Sequence, residues 1–179
     1  MTAAAELFYR HGIPNVGVND ITRHAGVAKQ SLYNNFDSKD ALLLAVLERR
    51  ARERHQWLRT ARERAARPAD QLIAVFDLLH EWFATPNYRG CAFVNATVEL
   101  AETDHPAGHA ARAHKDDMRL FFQTLAEEAR LRHPARVAQH LMLLVDGATA
   151  LALVQRSPEP ALSAKQAAAI LIDHARSGA

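Results

Sequence analysis

The chain has 179 residues, 49% of them apolar and 23% charged, with a formal net charge of +2; this is enough apolar content to bury a core and too much for a disordered polymer. A single cysteine excludes an intrachain disulfide, and no segment reaches the roughly 18 uninterrupted apolar residues of a membrane span. The small net charge hides an asymmetry: residues 1–67 carry 12 Lys and Arg against 7 Asp and Glu, a net +5, whereas residues 68–179 carry 10 against 13, a net −3. The basic half suits phosphate contact and salt-sensitive binding, although the run Arg49, Arg50, Arg52 and Arg54 reads by itself as a solvated helix face.

In chain order, Ala5 to Ile13 reads as a first helix and turn. Val18, Ile21 and Ala25 then recur at helical spacing, and Gly26 stands where the chain must reverse and a positive φ is easiest to place. A second short helix follows, from Ala28 to about Asn34. Leu32 and Phe36 can anchor it, while Lys29, Gln30, Ser31, Tyr33 and Asn34 cover most of its surface. A helix so poor in core residues shows its polar face to something else, and these side chains hydrogen-bond base edges and phosphates in a major groove about 12 Å wide. Gln30 and Asn34 suit adenine edges, Lys29 suits guanine or phosphate, Ser31 a groove contact, and Tyr33 and Lys39 phosphates, the last near a helix amino terminus that already favours anions.

The segment 18–42 resembles the DNA-binding domain of the TetR family of bacterial transcription regulators, which reads much like V-x-D-I-A-x-x-A-G-V-S-x-x-x-L-Y-x-x-F-x-S-K-x-x-L. The matching residues are Val18, Asp20, Ile21, Ala25, Gly26, Val27, Leu32, Tyr33, Phe36, Ser38, Lys39 and Leu42. Departures are informative too. Ala28 stands where a capping Ser or Thr is usual, so a cap worth about 1 kcal/mol is missing or replaced. Gln30 replaces a common Gly and Asn35 a common aromatic or His, while Gly17 and Asn19 stand where hydroxyl and basic residues often meet phosphates. Family members usually begin the first helix about ten residues earlier, often with a basic arm, so either the sequence starts late or binding proceeds without that arm. The resemblance implies an all-α fold: an N-terminal three-helix DNA-binding domain with a helix-turn-helix, residues 1–45, and a C-terminal helical ligand-binding and dimerisation domain, residues 46–179.

Beyond the motif almost everything reads as helical. Ser38 can cap a helix of about 27 residues, roughly 40 Å long. Pro68 ends it, and helices follow over about 70–84, 92–102, 107–132, 134–155 and 163–176. In the helix before Gln155, one face carries Leu141, Leu144, Val145, Ala148, Leu151 and Ala152 and much of the opposite surface is small or apolar, so it needs two things to bury against. With Ala168 and Leu171 of the last helix, these residues are expected to form a two-fold homodimer interface, as the resemblance also implies. Two recognition helices about 34 Å apart would then read a pseudo-palindromic double-stranded DNA operator.

The segment RGCAFVNATVELA resembles effector-binding domains of a TetR subgroup, and Trp82, Phe93, Asn95, Glu99, His114, Met118 and Phe121 are candidates for lining a small-molecule pocket. Ligand binding would then weaken DNA affinity by favouring a different spacing of the recognition helices. His105, His109 and His114 are badly spaced for one helical face, so neither a metal nor a cofactor is expected. Cys91 with His80 could be read as nucleophile and base, but no oxyanion donor or third orienting residue is legible, which argues against an enzyme. The expectation is a cytoplasmic regulator, a repressor released by its effector; the competing reading is a dimeric ligand-binding or interaction module that has lost operator recognition.

Overall fold

The computed structural model describes residues 1–100 and 104–176. The described residues form helices and no strands: α1 Thr2–His11, α2 Val18–Ala25, α3 Lys29–Tyr33, α4 Lys39–Glu63, α5 Pro68–Phe83, α6 Ala92–Leu100, α7 Pro106–Glu128, α8 Pro134–Gln155 and α9 Glu159–Arg176. The expected all-α class is the observed one. The end assigned to the sixth helix from the sequence, Ala101 and Glu102, lies outside the described residues.

Where the boundaries differ, backbone chemistry explains it. The seventh helix stops at Glu128 because Arg130, at φ 55°, takes a left-handed conformation that no α-helix continues. The fifth and ninth helices begin earlier than their apolar patterns suggested. Pro68 stands at the first turn of α5 and Pro160 at the first turn of α9, where the missing N–H would have no intrahelical partner. Ser38 caps α4 as its sequence position suggested, its Oγ accepting the Ala41 N–H at 3.0 Å.

Two compact units arise from these helices. Met1–Glu53 and Cys91–His114 form the first, which is larger than the 1–45 segment delimited from the sequence because α6 and the start of α7 join it. Its core is Ala4, Phe8, Ile21, Leu32, Leu42, Leu43, Val46 and Leu47 with Phe93 and Ala96. Arg50, read above as part of a solvated face, is half-buried here. Its guanidinium donates to the Ala5 carbonyl at 3.1 Å and lies 4.6 Å from the Tyr9 ring centroid, and burial pushes its pKa down from the ordinary arginine value.

The second unit, Arg54–Gly90 with Lys115–Ala179, packs α5 against α8 and α9 around Leu72, Phe76, Leu79, Phe122, Leu125, Leu141 and Ile172, all 2% exposed or less. Two forked arginine–carboxylate pairs brace its surface. Arg62 donates to both oxygens of Glu128 at 2.8 and 3.0 Å, and Arg64 to both of Glu81 at 2.6 and 2.8 Å. These bonds hold both carboxyl groups below the usual glutamate range. Helix α8 is long and apolar enough to cross a membrane, but Val137, Ala138, Leu141, Val145, Ala148, Thr149 and Ala152 are buried in this unit's core.

Candidate nucleic-acid interface

The reading element is built by a helix that ends on cue. Gly17 opens α2, its N–H donating to the Asp20 carboxylate at 3.0 Å, and Asp20 is paired with Arg23 one turn on. At the other end Gly26 adopts φ 67°, ψ 31°; its N–H bonds the Arg23 carbonyl at 3.3 Å and that of Val27 bonds Thr22 at 3.1 Å. This paired arrangement satisfies the last carbonyls of α2 and turns the chain by one left-handed residue. Glycine suits that position because a side chain there would be strained even though the surrounding space is open.

Helix α3 starts straight after Ala28, which is extended and offers no side-chain cap, as the departure from the family pattern implied. It is five residues long and rooted by Leu32, which is 7% exposed, with half-buried Phe36 just beyond. Lys29, Gln30, Ser31, Tyr33 and Asn34 are all exposed, so the structure brings five of the six proposed DNA contacts onto one small element. They are also mutually arranged. Gln30 Nε2 donates to Asn34 Oδ1 at 3.1 Å, and Lys29 Nζ lies 5.9 Å from the Tyr33 ring centroid. The Gln30–Asn34 bond leaves the Gln30 carbonyl and the Asn34 amide free to present an acceptor beside a donor, the pattern complementary to the N6 and N7 of adenine.

Lys39, the sixth proposed contact, stands apart from these five. Its side chain is half-buried, Nζ donating to the Ile13 carbonyl at 2.6 Å and lying 5.9 Å from the Phe8 ring centroid. It therefore ties α4 to the turn after α1.

Bacterial regulatory proteins of the tetR family, taken as a family model, match residues 1–46. The structure of a TetR transcriptional regulator from Streptomyces avermitilis shares 31% identity, covering 98% of this chain and 94% of that one, with a TM-score of 0.84. The chain belongs to the TetR family. A TetR-family transcriptional regulator from Streptomyces coelicolor superposes with a TM-score of 0.89 at 28% identity, over 97% of this chain and 92% of the other. The HTH-type transcriptional repressor NemR of Escherichia coli is 26% identical over 170 residues, which is 89% of this chain and 85% of NemR. As a TetR-family member the chain is a DNA-binding transcriptional regulator and not an enzyme.

The other candidate residues of this family member fare unevenly. The seven candidates for ligand contact divide between the units. Phe93, Asn95, Glu99 and His114 belong to the first, and Trp82, Met118 and Phe121 to the second. Phe93 and His114 stack face to face, centroids 3.9 Å apart, and are both buried. Met118 and Phe121 belong to the core of the second unit. Asn95 and Glu99 do border a cavity, together with Phe8, Ile13, Leu47 and Arg50, but its volume of about 20 Å³ has room for about one water and not for an effector.

Glu99 has a different task. Its carboxylate accepts the Ile13 N–H at 2.6 Å, so the Ile13 backbone is held at its N–H by α6 and at its carbonyl by Lys39. No local sequence pattern could announce a bond between residues 86 apart. Glu99→Ala should strand that part-buried N–H and lower stability by about 1–3 kcal/mol. In urea unfolding this would appear as a lower midpoint at unchanged slope; an unaltered midpoint would show that the bond does not matter.

Most of the residues expected at the dimer interface are engaged by the chain's own core. Leu141, Val145, Ala148, Ala152 and Ala168 are each 3% exposed or less within their own chain, and Leu144 and Leu171 are partly covered. Of the eight residues, Leu151 alone is exposed, at 50%. The most exposed large apolar residues of these two helices are Leu143 and Val154 on α8 and Ile170 on α9, at 71%, 80% and 72%.

Proposed function

We propose that this regulator is a cytoplasmic homodimer that represses transcription from a palindromic operator and is released by a small molecule. The observation that carries the reading is the outward presentation of Lys29, Gln30, Ser31, Tyr33 and Asn34 on a helix rooted by a single leucine. Residues 1–45 supply the DNA-binding function and residues 46–179 the response to effector and the pairing of subunits. Support for pairing comes from Leu143, Gly147, Leu151 and Val154, which recur along α8 at intervals of three or four residues. A Cβ on Gly147 would meet nothing within 4 Å, so a second helix could approach closely at that point. Repression is the role that the name of NemR gives to that relative. Helix α4, which contributes residues to both units, is the covalent route by which an effector could shift the reading element.

Selection of genomic fragments by the purified protein tests the reading. Enriched fragments should share an inverted repeat with half-site centres about one helical turn apart, and their affinity should fall steeply as salt rises. Deleting the gene should raise transcription beside the selected sites. Fragments with no common repeat, or lower transcription on deletion, would overturn it.

A further inference from the structure

Helix α3 ends at Tyr33, just short of the half-buried Phe36, and its last carbonyls are served unevenly. The Asn34 N–H donates to the Gln30 carbonyl at 2.9 Å, while the Asn35 and Phe36 N–H groups both donate to that of Leu32 at 3.0 Å. All three of these donors pass the Ser31 carbonyl by. Asn35 serves it with its side chain instead, Nδ2 donating to that carbonyl at 2.8 Å.

An exposed bond of this kind adds little to global stability, because water competes for both partners. Its effect is on the local shape of α3, a short helix with no side-chain cap at its start that depends on such braces. Two side-chain bonds brace it from within: Gln30 to Asn34 at 3.1 Å and Asn35 to Ser31 at 2.8 Å. They interlock, since the amide of Asn35 closes the turn on which its neighbour Asn34 is carried. Asn35 stands where an aromatic residue or His is common in the family, which makes the brace a property of this sequence and not of the motif.

We infer that Asn35 is a positioning residue for base reading: touching no base itself, it holds the last turn of α3 closed and so aims Gln30 and Asn34 at one base step. This rests on the reading of α3 as the element that contacts DNA. The effect of loosening the turn falls on the specific complex. Where the aimed conformation is only a fraction of the free protein, the apparent affinity falls by that fraction. Binding through phosphates, which carries no sequence information, tolerates a frayed turn.

Competition between cognate and single-base-altered duplexes tests the inference in Asn35→Ala. Affinity for the cognate duplex should fall about two- to tenfold, the worth of one net hydrogen bond, and discrimination should relax at the same base step that Gln30→Ala relaxes. Affinity for unrelated DNA, the slope against salt and the melting temperature should stay as in wild type, while amide exchange at Asn34 and Asn35 in the free protein should quicken. Asn35→Ser, whose hydroxyl can return to the same carbonyl, should recover much of the loss. Undiminished discrimination in Asn35→Ala, relaxation at a different step, or a flatter salt slope would overturn the inference, the last two because they make Asn35 itself a base or phosphate contact. Gln30→Ala keeps the two readings apart. If it too leaves discrimination unchanged, α3 is not the reader, whereas a change in Gln30→Ala alone removes only the role of Asn35.

Discussion

Leu143→Asp combined with Val154→Asp should leave the subunit folded but convert it from dimer to monomer, and operator affinity should collapse with it. Both side chains are at least 71% exposed in the isolated chain, so exchanging them removes little that the fold relies on. Across a two-fold axis the situation reverses. Each buried Leu or Val is worth about 1.5–3 kcal/mol, and symmetry counts each substitution twice. Replacing four such groups by carboxylates should raise the dimer dissociation constant by well over about a thousandfold. Sedimentation at micromolar protein should show the halved mass, with a thermal melt that stays cooperative. A doubly substituted chain that still sediments as a dimer would move the pairing surface elsewhere. Leu141→Asp is the instructive control: at 0% exposure it should unfold the second unit outright.

The second large effect concerns α3. Lys29→Ala with Tyr33→Ala should cost the operator complex about tenfold to a hundredfold or more, uniformly across operator sequences, and should flatten its salt dependence by about one phosphate contact. Gln30→Ala and Asn34→Ala should behave differently, each costing about 1–3 kcal/mol and relaxing the choice of base at one step of the half-site. Because all four side chains are exposed, none of these changes should move the melting temperature appreciably. Competition between cognate and single-base-altered duplexes separates the two classes. If Gln30→Ala weakens every duplex equally, the adenine reading of the Gln30–Asn34 pair fails.

What was legible in the sequence was local. Gly26 announces its turn because a left-handed residue must close α2, and Ser38 announces α4 because a hydroxyl before a helical pattern has one ready partner. The exposed polar set on α3 follows from having one strong apolar root. The exposed apolar face of α8 was not singled out, for an equally physical reason. Helix α8 has apolar residues nearly all round, and periodicity finds such faces without ranking them. The most regular face, with Leu141, Val145, Ala148 and Ala152, is the one its own core takes, and the ragged remainder with Leu143, Leu151 and Val154 is left exposed. Lys39, Arg50 and Glu99 look like surface charges along the chain. Their partners, the carbonyls of Ile13 and Ala5 and the N–H of Ile13, come from segments far away in sequence.

Helix α3 has five residues and no hydroxyl or carboxylate at its start to hold it. So short a segment has no helical stability of its own in water. Its shape is imposed through Leu32 and the turn at Gly26, and whatever tightens or loosens that root sets how rigidly the exposed amides are aimed. Shape memory of this kind makes fidelity of base reading a property of the hydrophobic interior, so a change that never touches a nucleotide could blur which promoters are recognised.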